Sequence, residues 1–581
     1  MSNALKSQGF VRTPPVIAAL LARWALRSPD DHVLDAGFGE GAFLLESARC
    51  LQSLGTPADR LAAQLYGIDA RPDAAPMLRQ AFGSHGLPVN LPGIRTGDFF
   101  TTPFPPVDAI VGNPPGVHPW RRQDVDALRR AVEPSLEGGR FSRLTDPQCY
   151  FIIHAARFLR PGGRLALIIS DSWLDMRYGT AFKDYLLRTF AVRGVLGFQE
   201  RIFRQVRVRP VVLLAEKRAA SETGEPQPVA FVSFSGRLPN SLPRDPCRLL
   251  DGGAPQVDGT ILPLDELQPA AKWTPLLYAP GVYKALRQHP GLTPLSALAQ
   301  VRLGLQTFAK MFYVVPLAVQ QRWHLERRWL MPLLLSPKDV DTPCLSPDMA
   351  ARHYVLACNA DKEHLAGTRV LRYIEYWENQ VLTPRGQAQP VIGVQNLPRV
   401  AKARRTPWYN LLDHLTRRGT APILLPRRMY RRLQVVWNQA GWVTGENFID
   451  ITPQAGVAAK PLLAVLNASI TEMALRVNAH VYGGGVYSLS PGSVGEVPVV
   501  DLRRLAPPAL NQIERAYNQF LHTNGAERGR LDAAVFAAAG LPDTLFEDLQ
   551  TALGRMRDFA AAVTQPAPIE EDNWTAELRL L

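Results

Sequence analysis

The chain has 581 residues, too long for one ordinary domain, and its length implies two to four. A hydrophobic content of 46% excludes a mainly disordered chain. The formal net charge of +13 and isoelectric point of about 9.6 favour a polyanionic partner, because each phosphate neutralised by Lys or Arg releases counterions. The five cysteines (Cys50, Cys149, Cys247, Cys344, Cys358) are scattered with no CxxC pair. That spacing argues against a metal site and a disulfide framework, and suits a reducing cytoplasm. Nothing in the polar start resembles a signal peptide, and the apolar runs are strand-length and broken by charge, so no membrane span is expected.

Up to about residue 220, strands and helices alternate. Ile17 to Trp24 has helical periodicity after a proline pair. His32 to Asp35 is a short apolar strand that runs into a glycine-rich turn and a helix over Ala42 to Leu51. Leu65 to Asp69 and Val107 to Val111 are two further strands. Cys149 to Leu159 reads as an amphipathic helix ending at Pro161-Gly162-Gly163, before a buried strand over Arg164 to Ser170. This alternation predicts a doubly wound α/β domain, whose ligands bind at the carboxyl ends of the strands. Ser221 to Pro226 has linker composition, and Val229 to Phe234 reads as a strand. The pattern from about 281 to 505 is irregular, with short strands and many arginines. After about 506 the sequence turns Ala- and Leu-rich with charges spaced for helix.

Two constellations carry chemistry. The first is Asp35-Ala36-Gly37-Phe38-Gly39-Glu40-Gly41, directly after a strand and before a helix. Its glycines let the backbone approach a ligand, although such turns also bind dinucleotides or simply close a tight loop. Asp69 ends the following strand, where a carboxylate accepts ribose hydroxyls. Asp98 precedes the next strand, where a carboxylate accepts from an adenine amino group while Phe99 packs on the ring. Three aspartates at successive strand ends favour an adenosine-containing cofactor. The second constellation is Asn113-Pro114-Pro115, which ends a buried strand in a rigid turn. The lone pair of an adenine amino nitrogen is delocalised into the ring. Two acceptors on its hydrogens, the Asn113 side-chain oxygen and the Pro114 carbonyl, would help pyramidalise it and aim the lone pair at an electrophilic methyl.

In order, Thr13-Pro14-Pro15, Asp35 to Phe43, Asp69, Gly97-Asp98-Phe99, Asn113-Pro114-Pro115 and Arg160-Pro161-Gly162-Gly163, continuing through Leu167 to Leu174 and Arg201 to Val208, resemble the gamma-class N6-adenine DNA methyltransferases. The resemblance covers about the first 215 residues. It implies a Rossmann-like class I methyltransferase domain with S-adenosylmethionine as cofactor. It further implies that Thr13 and the Gly37 to Gly39 backbone hold the methionine end, Asp69 the ribose, and Asp98 with Phe99 the adenine, with Asp35 also among the cofactor-binding residues. Asn113, Pro114 and Pro115 would receive the target amino group, and Phe203 would stack on the base flipped from the duplex. The family pattern continues with Tyr or Phe after Asn-Pro-Pro, whereas this chain has Gly116. A lost stacking face costs roughly 1–3 kcal/mol of base binding. Trp120 stands four residues on and is the candidate replacement. Asp35 stands where relatives often have Glu.

The carboxyl-terminal half resembles, more loosely, the target-recognition regions of the same group, through Val301 to Thr307, Thr406 to Tyr409, Leu466 to Ser469 and Tyr482 to Gly485. Gly304 and the Gly483 to Gly485 run are expected in turns that approach the target backbone. Arg404, Arg405, Arg427, Arg428, Arg431 and Arg432 belong to a stretch with the single acid Asp413 and are candidates for contact with double-stranded DNA. A solvated basic face is the alternative. Trp408 and Trp437 are expected in the core. The predicted organisation is a methyltransferase domain over 1–240, a linker over 241–280, a mixed α/β target-recognition domain over 281–505 and a helical segment over 506–581. The expected activity is site-specific adenine methylation within a restriction-modification or phage-defence system, by an enzyme working alone or with a separately encoded nuclease. Three other readings compete: an RNA amino-group methyltransferase, a protein-glutamine methyltransferase that shares Asn-Pro-Pro, and a catalytically impaired DNA-binding component.

Overall fold

The computed structural model describes residues 13–115, 122–136, 141, 145–198, 210–219, 227–235, 238–239, 241–251, 257–279, 281–340, 342–383, 389–429, 433–482, 486–523 and 525–564. The candidates Trp120, Phe203, Arg431 and Arg432, together with Gly116 and the Gly483 to Gly485 run, lie outside the described residues. The chain divides into two compact units, one built mainly from residues up to Pro280 and the other from Gly281–Ala479 with Val486–Ala560.

The first unit is organised by a nine-stranded sheet. In chain order its elements are α1 (Pro15–Ala25), β1 (Val33–Ala36), α2 (Ala42–Leu54), β2 (Leu65–Asp69), α3 (Ala74–Ser84), β3 (Ile94–Thr96), β4 (Val107–Gly112), α4 (Arg122–Val132), α5 (Pro147–Ala155), β5 (Leu159–Ser170), α6 (Gly179–Thr189), β6 (Phe190–Phe198), β7 (Pro210–Lys217), β8 (Pro228–Phe234) and β9 (Val257–Pro263). The strand order is β3-β2-β1-β4-β5-β7-β6-β8-β9. β1 to β5 pair in parallel, while β7 runs antiparallel to both β5 and β6. Because successive side chains of a strand point to opposite faces, Leu165, Leu167 and Ile169 of β5 enter one core and Ala166 and Ile168 the other. Helices α5 and α6 contribute Phe151, Ile152, Phe182 and Leu186 to the first core. Helices α1 to α3 contribute Ile17, Leu21, Phe43, Leu51, Leu78 and Phe82 to the second. A sheet apolar on both faces and helix-covered on both is the doubly wound arrangement.

Two sequence expectations change here. The helix expected to reach Leu159 ends at Ala155, and Leu159 already begins β5. Residues 241–280, expected to be a linker, are built into the first unit. β9 pairs antiparallel with β8 and extends the sheet, and Trp273 is 1% exposed in its core, edge-on to Trp173 and Phe231. The prolines and glycines of this stretch hide a strand whose pairing with β8 is settled only in three dimensions.

The second unit is mixed α/β. A five-stranded sheet contains Ala299–Leu303, Phe448–Pro453, Ile423–Pro426, Val436–Asn438 and Cys344–Leu345 in that spatial order. A four-stranded sheet contains Val314–Pro316, His353–Leu356, Leu330–Leu334 and Val443–Thr444. Helices Pro507–His522 and Arg528–Ala539 pack on each other, and the first of them packs on Ala459–Leu466. The helical segment expected after 506 therefore includes helices integral to this unit. Among the described residues no helix is long and apolar enough to cross a membrane.

Candidate active site

The sheet reverses its winding direction between β1 and β4, since β2 and β3 lie to one side of β1 and β4 and β5 to the other. A crevice opens at such a point, outside the carboxyl ends of the strands. Asp35 lies on β1 one residue before its end, and Asn113 follows β4 directly. The turn from β1 to α2 is made by Gly37, Gly39 and Gly41, with φ of 83°, 60° and 83°. These left-handed values strain any side-chain-bearing residue. The turn also approaches the Asn-Pro-Pro segment closely, because a Cβ on Gly37 would stand 3.2 Å from Cδ of Pro115. Likewise, a Cβ on Gly112 would come within 2.7 Å of Oδ1 of Asp35. The two glycine positions let β1 and β4 bring their functional residues together.

Asp35 is completely buried, and neither carboxylate oxygen has a hydrogen-bond partner among the described residues. Burial, with the nearby Asp69 carboxylate adding to it, pushes its pKa well above the usual carboxylate range. A buried carboxyl without donors is costly, and it signals a place for a cationic or N–H-rich group. Asp69 is differently placed. Its carboxylate accepts from the Gly39 N–H at 2.8 Å, the Arg71 N–H at 2.9 Å and Arg71 Nε at 3.2 Å. A carboxylate offers about four acceptor sites, so both ribose hydroxyls could be taken only if the Arg71 side chain yields. The Gly97 N–H donates to the Asp69 carbonyl at 3.0 Å, which ties the following loop to the end of β2. In that loop Asp98 is exposed and accepts from the Phe100 N–H at 3.0 Å. Phe99 is buried beside it in an aromatic cluster, its ring 4.6 Å from Phe151 and edge-on to His154 at 5.0 Å.

Asn113 is half-buried, and its Nδ2 donates to the Thr13 hydroxyl at 3.3 Å, a bond that does not use the amide oxygen. Thr13, a cofactor-binding candidate, thus meets the catalytic candidate across the crevice. The Pro114 carbonyl accepts from Nε2 of Gln148 at 2.7 Å. Sequence reasoning missed Gln148. It lies 34 residues from Pro114, in the first turn of α5, and no spacing rule links the two.

The arginine candidates of the second unit divide by environment. Arg404 is exposed at a positive φ of 49°, and Arg428 is exposed on a short strand. Arg405 is half-buried, donates to the Tyr313 hydroxyl at 3.0 Å and lies 5.4 Å from the centre of that ring. Arg427 is half-buried and its backbone N–H donates to the Asn447 carbonyl at 2.8 Å. Gly304 makes room for the unit's own chain, since a Cβ there would collide with the Gly445 carbonyl. Trp408 is half-buried against Phe312, with its Nε1 donating to Glu378 at 2.8 Å.

Comparison with known proteins adds the family. Residues 1–241 match the N-6 DNA Methylase family, and residues 395–524 match the C-terminal domain of the type II methyltransferase M.Eco57I. The chain is 20% identical over 424 residues to the type II methyltransferase M.AccI of Acinetobacter calcoaceticus, covering 71% of this chain and 72% of that protein. It is 25% identical over 339 residues to the type II methyltransferase M.XamI of Xanthomonas campestris pv. amaranthicola, covering 57% of each. A stretch of 138 residues is 32% identical to a release factor glutamine methyltransferase of Gloeobacter violaceus, covering 23% of this chain and 44% of that protein. With its strand order and its Asn-Pro-Pro turn at the switch point, the chain carries an N-6 DNA Methylase domain over residues 1–241, joined to a region like the C-terminal domain of M.Eco57I, and its cofactor is S-adenosylmethionine.

Proposed function

We propose that the chain methylates N6 of an adenine flipped out of double-stranded DNA at a specific site, as the modification enzyme of a restriction-modification system whose nuclease is encoded separately. The observation that carries this reading is the pairing of two polar groups at one crevice. Among the described residues Asp35 is a buried carboxyl without donors, and the hydrogen bond of Asn113 to Thr13 uses its Nδ2 and not its amide oxygen.

The residues present fit S-adenosylmethionine. The Asp35 carboxylate would receive the ammonium of its methionine part, with the Gly37 to Gly39 backbone beside it. Asp69 would hold the ribose, and Asp98 with Phe99 would bound the adenine. The cofactor supplies an electrophilic methyl on a sulfonium. Asn113 and Pro114 would each accept one hydrogen of the target amino group, with Pro115 stiffening the turn. Thr13 orients the Asn113 amide for that task. No residue titrating near neutrality is required at the target nitrogen while it is held. Phe203 would stack on the flipped base, and Trp120 would replace the aromatic that the family carries at the position of Gly116. Arg404, Arg428, Arg431 and Arg432 would bind phosphates, while Arg405 and Arg427 would shape the surface that presents them.

The match over residues 395–524 favours DNA over a protein amide, since the Asn-Pro-Pro chemistry alone serves both. The test is transfer of label from radiolabelled S-adenosylmethionine to unmethylated genomic DNA, with RNA and protein in parallel, followed by nucleoside mass spectrometry. N6-methyladenine in DNA is expected. Label confined to RNA or protein, or to another base, overturns the reading.

A further inference from the structure

Gln148 occupies a position that the residues so far assigned do not explain. The Asp146 side chain caps α5 by accepting the Gln148 N–H at 3.0 Å, which places Gln148 in the first turn of the helix. The Gln148 side chain is 6% exposed and reaches the ends of two strands. Its Oε1 accepts from the Ser170 N–H at 2.7 Å, and its Nε2 donates to the Pro114 carbonyl at 2.7 Å. The orientation of this amide is dictated. A backbone N–H only donates and a carbonyl only accepts, so the amide oxygen must face Ser170 and the NH₂ must face Pro114. The side chain is therefore a two-ended clamp between the Asn-Pro-Pro turn after β4 and the last residue of β5.

We propose that Gln148 is a positioning residue for methyl transfer, aiming the Pro114 carbonyl at the target amino group. The proposal rests on the reading that Pro114 accepts an amino hydrogen. A carbonyl oxygen has two lone pairs. With one engaged by Gln148 and the prolines restricting rotation of the turn, the other is held in a single direction. Misplacement of such a group by about 1 Å can cost about 100-fold in rate. Glutamine suits this task because one planar group both accepts and donates. Glutamate keeps the shape and the acceptor toward Ser170, but when ionised it turns a second acceptor toward the Pro114 carbonyl. Only its protonated form donates there again.

The experiment uses the full chain, unmethylated genomic DNA and labelled S-adenosylmethionine. Gln148→Glu, Gln148→Met and Asn113→Ala are compared with the unsubstituted enzyme from about pH 9 to about pH 6. Gln148→Glu is expected to lower kcat about 10- to 100-fold at the alkaline end while leaving cofactor Kd within about twofold. Its kcat relative to the unsubstituted enzyme should recover as pH falls and the carboxyl becomes a donor. Gln148→Met should lower kcat at every pH with no recovery. A Gln148→Glu ratio flat across the pH range, or a Gln148→Met enzyme of normal kcat, overturns the proposal. If Gln148→Glu does not fold, the kcat and cofactor Kd of Gln148→Met decide alone. Asn113→Ala separates the two levels: its retaining activity would overturn the active-site reading itself, whereas an inactive Asn113→Ala beside a normal Gln148→Met overturns only the role of Gln148.

Discussion

The two units use polar side chains in opposite ways. At the crevice of the first unit, Asp35 is buried without a donor among the described residues, and Asn113 bonds Thr13 through its Nδ2 and not its amide oxygen. In the second unit the buried charges are closely matched. Glu472 and Arg476, both fully buried, pair at 2.8 Å, and Arg528 and Arg557 converge on the same carboxylate. Those neighbours hold the Glu472 pKa below its usual value despite burial, whereas burial and the Asp69 carboxylate shift that of Asp35 upward. A buried carboxylate whose partners come from its own chain has its desolvation offset within the fold, so that removing one partner is strongly destabilising. One whose partners are missing is held at a cost in stability, and the missing donors identify the ligand's chemistry.

Substitutions at these positions should separate binding and catalysis from folding. The largest effect is expected for Asn113→Ala, which removes an acceptor engaged during methyl transfer. Turnover should fall by about 100- to 1,000-fold or more, with cofactor affinity measured by calorimetry little changed. Asp35→Asn comes next and should act in two directions. Loss of a charge-assisted contact to the cofactor ammonium should weaken binding roughly 10- to 100-fold. The cofactor-free chain should meanwhile become more stable by about 1–3 kcal/mol at neutral and alkaline pH. The sign follows from the upward shift. Asp35 is protonated in the fold at pH values where it is ionised in the unfolded chain, so stability is lost as pH rises through its folded pKa. Below the ordinary carboxylate range the two melting temperatures should converge. A gap between them that is constant with pH would show that Asp35 has a partner in the free protein.

Smaller effects should sort the arginines. Replacing exposed Arg404 or Arg428 by Ala should reduce the slope of log K against log salt for duplex binding by about 1 each, without changing melting. Arg405→Ala should instead cost about 1 kcal/mol of stability, because its guanidinium is hydrogen-bonded to and lies over Tyr313, and should leave the salt slope alone. Equal slope changes for Arg404 and Arg405 would erase the distinction drawn between them.

Much of the first unit was legible before any coordinates. Short apolar runs ending in Asp35, Asp69 and Asn113 announced parallel strands whose carboxyl ends carry the chemistry, because strand period and chain punctuation are local properties. The target-recognition half was less legible. Its strands are mostly two to six residues long and pair across wide sequence separations, as when Ala299–Leu303 meets Phe448–Pro453. The stretch 241–280 was misread for the same reason, since β9 is recognisable only by its partner β8.

The sequence by itself determined the residue types and their order at the strand ends and the need for glycine in the β1–α2 turn. Each depends on a residue's own chemistry or on its immediate neighbours. Tertiary structure decided which of those residues face one another. Thr13 meets Asn113 across 100 residues, Arg71 rather than open solvent faces Asp69, and Arg405 turns to Tyr313 instead of outward. It also brought Gln148 to the Pro114 carbonyl. The physical reason is that hydrogen-bond partners are selected by the register and layering of packed strands and helices, a non-local outcome that composition and spacing do not encode.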